Sequence, residues 1–158
     1  MNLRKSFLVL LGSIWMLLFT ACGPEILYQD TKSINGNEWR YEEVLEYSFK
    51  VNDTTSLYKM VLRLNHIPSF SYENIYLNIG TEFPVLPPTK QVVSINLLDA
   101  NGIWEGTCKG NDCLKEVLMQ NSFSFPEIGN YTVTVSQWSR EEALPGIKSI
   151  QLSIIKEE

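Results

Sequence analysis

The chain has 158 residues, a formal net charge of −5 and 44% hydrophobic residues, which fits one globular domain with an apolar core. An acidic surface repels phosphate groups and gains nothing from counterion release, so nucleic acid is not expected as a partner. No internal repeat or low-complexity tract is visible, and the composition does not suggest a long disordered tail.

The first 21 residues have the layout of a secretory leader. Arg4 and Lys5 precede an apolar stretch, 7–19, which is shorter than the roughly 20 residues that a membrane-spanning helix needs. Ala21 and Cys22 follow, and the Gly-Pro pair after the cysteine prevents a helix from continuing. The apolar leader therefore ends at the cysteine.

This leader ends in a bacterial lipobox, with Phe19 where leucine is more common and Cys22 as the acceptor. The pattern predicts a diacylglycerol on the Cys22 thiol, cleavage before Cys22 and an N-acyl chain on the new amine, which together anchor the chain firmly. An uncleaved N-terminal anchor and an unlipidated secreted protein are the alternatives, and the pattern favours the lipoprotein. The predicted organisation is a signal peptide (1–21), a lipidated tether (22–32) and a domain (33–158). Loss of two basic residues with the leader changes the net charge from −5 to −7.

Beyond the tether, apolar and polar residues alternate with the period of a β-strand. Such alternation places one face of a strand in the core and the other in water. We expect an all-β fold, a single two-sheet β-sandwich of jelly-roll or immunoglobulin-like type. The predicted strands cover 43–51, 57–66, 74–80, 91–99, 131–138 and 147–155. The turn signals between them fall at 52–55, 84–88, 99–102 and 144–146.

One segment, 112–120, is the helix candidate of the chain. Asp112 is a suitable N-cap for it. Because the segment is short and its flanks resemble strands, we expect one or two helical turns at most.

Two cysteines remain in the mature chain besides the acceptor. Cys108 and Cys113 lie in the stretch C-K-G-N-D-C. Thiols beyond the inner membrane meet oxidising conditions, so a disulfide that closes a small loop is one interpretation. The short gap leaves open whether the geometry permits the bond. A zinc site is less favoured, since two sulfur ligands without a nearby histidine leave the metal under-coordinated.

No catalytic motif stands out. Nucleophile-elbow, zincin, phosphate-loop and dinucleotide-binding patterns are all absent from the sequence. His66 would need a nucleophile and an orienting acid, so a surface or loop histidine is the simpler interpretation. The acidic pairs 42–43 and 141–142 consist of adjacent residues, which point to opposite faces of a strand and make poor glycosidase couples. We expect no enzymatic activity, no metal and no cofactor other than the covalent lipid.

The segment 137–147 is the strongest candidate for a contact surface. Arg140 offers a bidentate partner for a carboxylate. Leu144 precedes Pro145 and Gly146 on a stiff loop, where an apolar residue can act as a binding knob. On this hypothesis Leu144→Asp abolishes complex formation and leaves the fold intact. The alternative is a well-braced hairpin without a binding role.

Aromatic residues support an alternative function, the binding of a glycan. Trp104 and Trp138 are the candidates, and the hypothesis requires one of these rings to be exposed on a concave face. Core or sheet-edge packing explains most of the aromatic residues equally well. Tyr131 opens a strand after Gly129 and is expected to brace the backbone through its hydroxyl. The other aromatic residues of this set are Trp39, Tyr72 and Tyr76.

Four stretches, in this order and together with Cys22, resemble the GldH family of gliding-motility lipoproteins from the Bacteroidetes. They are Y-K-M-V-L-R-L-N-H (58–66), Y-E-N-I-Y-L-N-I (72–79), L-L-D-A-N-G-I-W-E-G (97–106) and the segment from G-N-Y-T-V to I-Q-L-S-I (129–154). The likeness covers nearly the whole mature chain.

This resemblance implies a lipoprotein of the outer membrane, facing the periplasm, rather than an enzyme. It also implies an assembly or stability role beside other lipoproteins of gliding motility and type IX secretion. The family brings no catalytic residues with it. The surfaces that we expect to contact such partners are the 144–146 loop and the region of Tyr72 and Asn74.

Overall fold

The computed structural model describes residues 23–157. The signal peptide and Cys22 lie outside the described residues. The described chain is built from antiparallel strands and one 3₁₀ turn, Asn35–Asn37. In chain order the strands are β1 Ile26–Ser33, β2 Glu38–Arg40, β3 Leu45–Val51, β4 Tyr58–His66, β5 Asn74–Glu82, β6 Thr89–Asn96, β7 Thr107–Lys109, β8 Asp112–Phe123, β9 Gly129–Gln137, β10 Ala143–Pro145 and β11 Ile147–Lys156.

Two sheets pack face to face, which confirms the predicted all-β sandwich. One sheet has five strands in the order β1-β11-β4-β8-β7, and the other has four in the order β3-β9-β5-β6. All six predicted strands are present. Their period-two pattern is clearest in β3, where Leu45, Tyr47, Phe49 and Val51 are buried and the residues between them are exposed.

The core fills the space between the two inner faces. Tyr47 from the four-stranded sheet is fully buried, and its hydroxyl donates to the backbone oxygen of Ile150 in the five-stranded sheet, 2.8 Å away. Burial raises the pKa of this hydroxyl well above its ordinary value. The bond satisfies the polar end of a core tyrosine and ties the two sheets together.

The two ends of the sandwich are closed differently. We call the end where β1, β4 and β9 begin the N-terminal end, and the opposite end the ribbon end, because a two-stranded ribbon of β2 and β10 covers it. Trp39 in β2 is fully buried beneath the ribbon, and its indole donates to the backbone oxygen of Glu43 at 3.0 Å. At the N-terminal end, the rings of Phe49, Phe125 and Tyr131 form an aromatic cluster with centroids 4.9 to 6.0 Å apart.

Tyr131 braces the backbone as predicted. Its hydroxyl donates to the backbone oxygen of Glu127 at 2.8 Å, across the corner by which the chain enters β9. The corner also brings Gly129 against Pro84, where an added Cβ would lie 2.6 Å from the proline ring. Glycine is therefore required at this contact.

The helix prediction for 112–120 is wrong, because this segment belongs to β8. β8 pairs with β4 along its length and with β7 at its start. Val117 and Met119 pack against the core, two residues apart as in a strand. Asp112 caps no helix; its carboxylate accepts hydrogen bonds from Asn65 and Lys148 at 3.0 and 2.8 Å. Pairing between strands overrides the local helix propensity of this segment.

The tether is shorter than predicted. Residues 26–32, assigned to it from the sequence, form most of β1 and pair with β11. Tyr28 stacks on Phe49 with ring centroids 5.1 Å apart, so the strand contributes to the core. Only Gly23 to Glu25 precede the first strand among the described residues.

Candidate interaction surface

A groove with a volume of about 790 Å³ opens at the ribbon end, beside the start of β5 and the end of β9. We call it the Trp138 groove. Five parts of the chain contribute to it: the chain around β5, β6, the segment that follows β9, β10 and the turn after β2. Its lining residues are Tyr41, Tyr72, Asn74, Ile75, Tyr76, Val92, Trp138, Ser139, Arg140, Glu141 and Leu144.

Exposed aromatic rings give the groove its character. Trp138 is 48% exposed, and Tyr41 and Tyr76 are exposed to a similar extent. The amide of Trp138 donates to the backbone oxygen of Tyr76 at 2.8 Å, which places the two residues side by side. The rings of Tyr41 and Trp138 lie 6.1 Å apart. Exposed rings of this kind combine a large apolar area with polar edges and are typical of binding surfaces.

Gln137 holds the rim of the groove in shape. Its side chain is buried, and its amide nitrogen donates to the backbone oxygen of Glu141 at 3.1 Å. Its side-chain oxygen accepts from the amide and the hydroxyl of Ser139, at 2.8 and 2.6 Å. These bonds fix the turn that presents Trp138 and Arg140, so the surface is preorganised. Sequence reasoning missed Gln137, because its role is visible only through its partners.

Four of the six predicted contact residues meet at this groove. Tyr72, Asn74, Arg140 and Leu144 all line it, although about 65 residues of sequence separate the two pairs. Arg140 is exposed, and its guanidinium remains suited to a carboxylate. The structure therefore joins the two regions that the sequence suggested separately.

The interpretation of Leu144 as an exposed knob is wrong. Leu144 is only 2% exposed, because β10 pairs with β2 and turns this side chain inward opposite Trp39. Leu144→Asp would bury a charge and cannot leave the fold intact.

Pro145 and Gly146 do not line the groove. Pro145 is exposed at the end of β10. Gly146 has a φ of +98° and packs on Ile67, whose Cγ1 would lie 2.9 Å from an added Cβ. The alternative of a hairpin is also wrong, since β9 and β11 belong to different sheets and this segment carries the chain from one sheet to the other.

Of the tryptophans considered for glycan binding, Trp138 alone lines the groove among residues 23–157. Trp39 is buried. Trp104 is half-buried, its indole donating to the backbone oxygen of Pro68 at 3.1 Å. Its ring lies 4.6 Å from that of His66. Trp104 is therefore engaged in packing, whereas Trp138 meets the requirement of an exposed ring on a concave face.

His66 is not a surface or loop residue, as we expected from the sequence, but a buried one at the end of β4. Its Nδ1 lies 2.8 Å from the backbone oxygen of Ile67, and Nε2 has no hydrogen-bond partner. Burial lowers the pKa of the imidazole. The neutral ring, donating through Nδ1, therefore acts as a core side chain under Trp104 and Phe70.

A disulfide joins Cys108 and Cys113 across the hairpin of β7 and β8. The two residues are direct cross-strand partners, with Cα atoms 4.0 Å apart. The start of β8 pairs with the end of β4, so the bond lies at the ribbon end of the five-stranded sheet.

Acidic residues do not gather into a metal site in the described chain. Within residues 23–157, no group of three or more His, Cys, Asp or Glu side chains is placed to hold a metal ion. Glu42, Glu141 and Glu142 are exposed, and Glu43 is half-buried. No helix in this part of the chain is long and apolar enough to span a membrane.

The family model described as GldH lipoprotein matches residues 26–154, which is most of the chain and nearly all of the sandwich. The chain belongs to the GldH lipoprotein family. This confirms the resemblance seen in the sequence, and membership of a lipoprotein family implies membrane anchoring.

Individual proteins similar to this GldH-family chain include a curated relative and a solved structure. A curated relative, the gliding motility lipoprotein GldH homolog of Christiangramia forsetii (strain DSM 17595 / CGMCC 1.15422 / KT0803), is 22% identical over 150 residues, which cover 94% of this chain and 91% of the relative. A crystal structure of tripeptidyl peptidase 2 matches with a TM-score of 0.42 and 12% identity. That match covers 84% of this chain but only 10% of the peptidase chain.

Proposed function

We propose that the protein is a non-enzymatic assembly and stability component of the gliding-motility and type IX secretion machinery. On this proposal it is held in the outer membrane by acyl chains on Cys22, faces the periplasm and contacts neighbouring lipoproteins. Membership of the GldH family supports this proposal. The observation that carries the contact role is the Trp138 groove.

Side chains of the groove favour recognition of a protein. Trp, Tyr and Arg are the residues that most often dominate binding energy at protein interfaces. Trp138, Tyr76 and Tyr41 present such rings, and Arg140 adds a cation at the rim. A partner with an apolar side chain flanked by a carboxylate would satisfy both features.

The position of the groove is suited to a partner beyond the membrane surface. β9 runs from the N-terminal end to the groove, and its nine residues span roughly 30 Å of extended chain. A lipid on Cys22 would hold the opposite end at the bilayer. The groove would therefore face proteins that reach into the periplasm.

Cross-linking tests this function. Lipidated, C-terminally tagged protein is recovered from gently solubilised outer membranes and its cross-linked partners are identified by mass spectrometry. We expect lipoproteins of gliding or type IX secretion with the native chain, and loss of them with a Trp138→Ala and Arg140→Ala double variant. Leu118→Ala is the matched control, because Leu118 is similarly exposed on the other sheet. Equal recovery from all three proteins would contradict a contact role for the groove.

Glycan binding is the second candidate, favoured by the exposed ring of Trp138 beside Tyr41 and Tyr76 in one concave site. Aromatic faces of this kind stack well on sugars. A soluble Cys22→Ser chain should then be retarded by a polysaccharide of the envelope in affinity electrophoresis, and Trp138→Ala should migrate freely. Absence of any retardation of the Cys22→Ser chain would exclude this alternative.

A further inference from the structure

Five exposed aliphatic side chains lie together at the N-terminal end of the sandwich. Val85 is 80% exposed and Ile128 is 65% exposed. Ile26, Leu57 and Leu86 are each about half exposed. They come from the start of β1 and from three loops, β3 to β4, β5 to β6 and β8 to β9, which all lie at this end.

Two of these loops share one design. The first reads Phe-Pro-Val-Leu (83–86) and the second reads Phe-Pro-Glu-Ile (125–128). Each phenylalanine packs on the ring of Tyr131, with centroids 5.7 and 4.9 Å away. Each loop thus packs its phenylalanine on Tyr131 and displays an aliphatic residue to solvent.

A carboxylate clamps the two loops together. Glu127 accepts hydrogen bonds from the backbone amides of Val85 and Leu86, at 3.0 and 3.4 Å. Pro84 also packs against Gly129 directly beneath the tips. The aliphatic tips therefore form a single preorganised protrusion, which loses little entropy when it is buried.

The start of the chain lies at the same end. The amide of Lys156 donates to the backbone oxygen of Glu25 at 2.8 Å, next to the pair of Ile26 and Ile155. Cys22 precedes Ile26 by four residues, and four residues of extended chain reach at most about 14 Å. A lipid on Cys22 would consequently hold these loops within reach of the bilayer surface.

Several carboxylates around the loops already have partners. Glu127 is used by the clamp. Asp53 accepts from the hydroxyl of Ser56 at 2.6 Å and lies 3.5 Å from the ammonium of Lys156, which lies equally close to Glu25. Such pairing lowers the cost of bringing these charges close to a bilayer. Since the mature chain is acidic, the surface fits a zwitterionic headgroup layer rather than an anionic one.

We propose that the protrusion formed by Val85, Leu86 and Ile128 inserts into the headgroup region of the bilayer that carries the lipid anchor, and so sets the domain upright. The inference rests on the lipid anchor of the proposed function. The anchor supplies attachment and the loops supply orientation, because one flexible tether alone would leave the domain free to tumble. The Trp138 groove would then face away from the membrane.

The test uses the full, lipidated protein in vesicles of phosphatidylcholine and phosphatidylethanolamine. A bimane fluorophore is placed on Ile128→Cys, Val85→Cys or Ile103→Cys, and a nitroxide on the lipid quenches it by contact. Ile103 is the matched control, because it is 64% exposed at the ribbon end. Flotation of the vesicles in a density gradient is measured on the same samples.

We expect all three proteins to float and quenching to be several-fold stronger at 85 and 128 than at 103. Protein that floats but shows equally weak quenching at the three sites would overturn the insertion and leave the anchor intact. Weak lipid quenching combined with protection from aqueous iodide would also overturn it, since a protein would then cover the loops. Failure to float would remove the anchor and the inference with it. Recovery of partners is a separate measurement, so the two proposals can fail independently.

Discussion

At the two ends of the sandwich, the same architecture presents different chemistry to its surroundings. The N-terminal end displays aliphatic tips above an aromatic cluster, and several of its carboxylates are paired. The ribbon end displays amphipathic rings around a groove, with Arg140 at the rim, and it also carries the disulfide of the five-stranded sheet. Aliphatic side chains suit a surface without directional demands, whereas rings and a guanidinium suit a partner with defined geometry. On the two proposals made above, membrane attachment and partner recognition lie at opposite ends of the sandwich.

The largest effect is expected from truncating Trp39, the fully buried side chain of the ribbon. Trp39→Ala should lower the free energy of unfolding by about 3–5 kcal/mol, because a fully buried side chain is replaced by a cavity. Urea denaturation measures this change in the free energy of unfolding. Phe125→Ala is the counterpart at the N-terminal end, where we expect a loss of similar size. A loss below about 1 kcal/mol for Trp39→Ala would show that the ribbon does not stabilise the sandwich.

The next largest effect is expected at Trp138, where a substitution should weaken partner binding and leave the fold intact. Trp138→Ala should weaken partner binding by about 2 kcal/mol, roughly 30-fold, if the ring is an interface anchor. Its free energy of unfolding should change by less than about 0.5 kcal/mol, because the side chain is exposed. Affinity is measured by titration with a partner identified by cross-linking. A large fall in stability would instead make Trp138 a structural residue.

Removal of the disulfide should destabilise the ribbon end by a comparable amount. The bond closes a loop with a sequence separation of five, for which loop entropy gives about 2 kcal/mol. A Cys108→Ser and Cys113→Ser double variant should show that loss in urea. Amide exchange should rise in β7 and the start of β8 and stay unchanged in the 83–86 loop. Faster exchange at both ends would mean that the ends are coupled.

Protonation of His66 should produce the smallest effect. The folded pKa lies below the unfolded value of about 6.5, so the unfolded chain binds the extra proton first. Stability is therefore complete above pH 6.5 and falls as the pH drops below it. His66 is the single histidine of the sequence, so His66→Phe should flatten the dependence of the unfolding free energy on pH between 5 and 7. An unchanged slope would contradict this assignment.

The sequence predicted the strands with strong alternation and missed those defined by their neighbours. β3, β5 and β9 combine period-two alternation with β-branched and aromatic residues, and these features are enough to identify them as strands. β8 contains residues with helix propensity, but it forms a strand because it pairs with β4. β2 and β10 have three residues each, which is too short for a periodic pattern to appear.

The sequence predicted several residues of the candidate site but not how they are arranged in space. Arg140 and Tyr72 were recognised from local chemistry, which a sequence displays directly. The inward position of Leu144 depends on Trp39, which lies more than a hundred residues earlier in the chain. The bracing role of Gln137 likewise depends on the path of the turn that follows it. Contacts across such distances leave no local pattern.

The pairing of β1 with β11 has a mechanical consequence. β1 starts at the N-terminal end of the sandwich and runs towards the ribbon end, with seven residue pairs along β11. A force between an anchored Cys22 and a partner held at the Trp138 groove would act parallel to this strand. The hydrogen bonds of β1 would then be loaded in shear, all together, rather than opened one at a time from an end. Tension would thus enter the domain through its first strand.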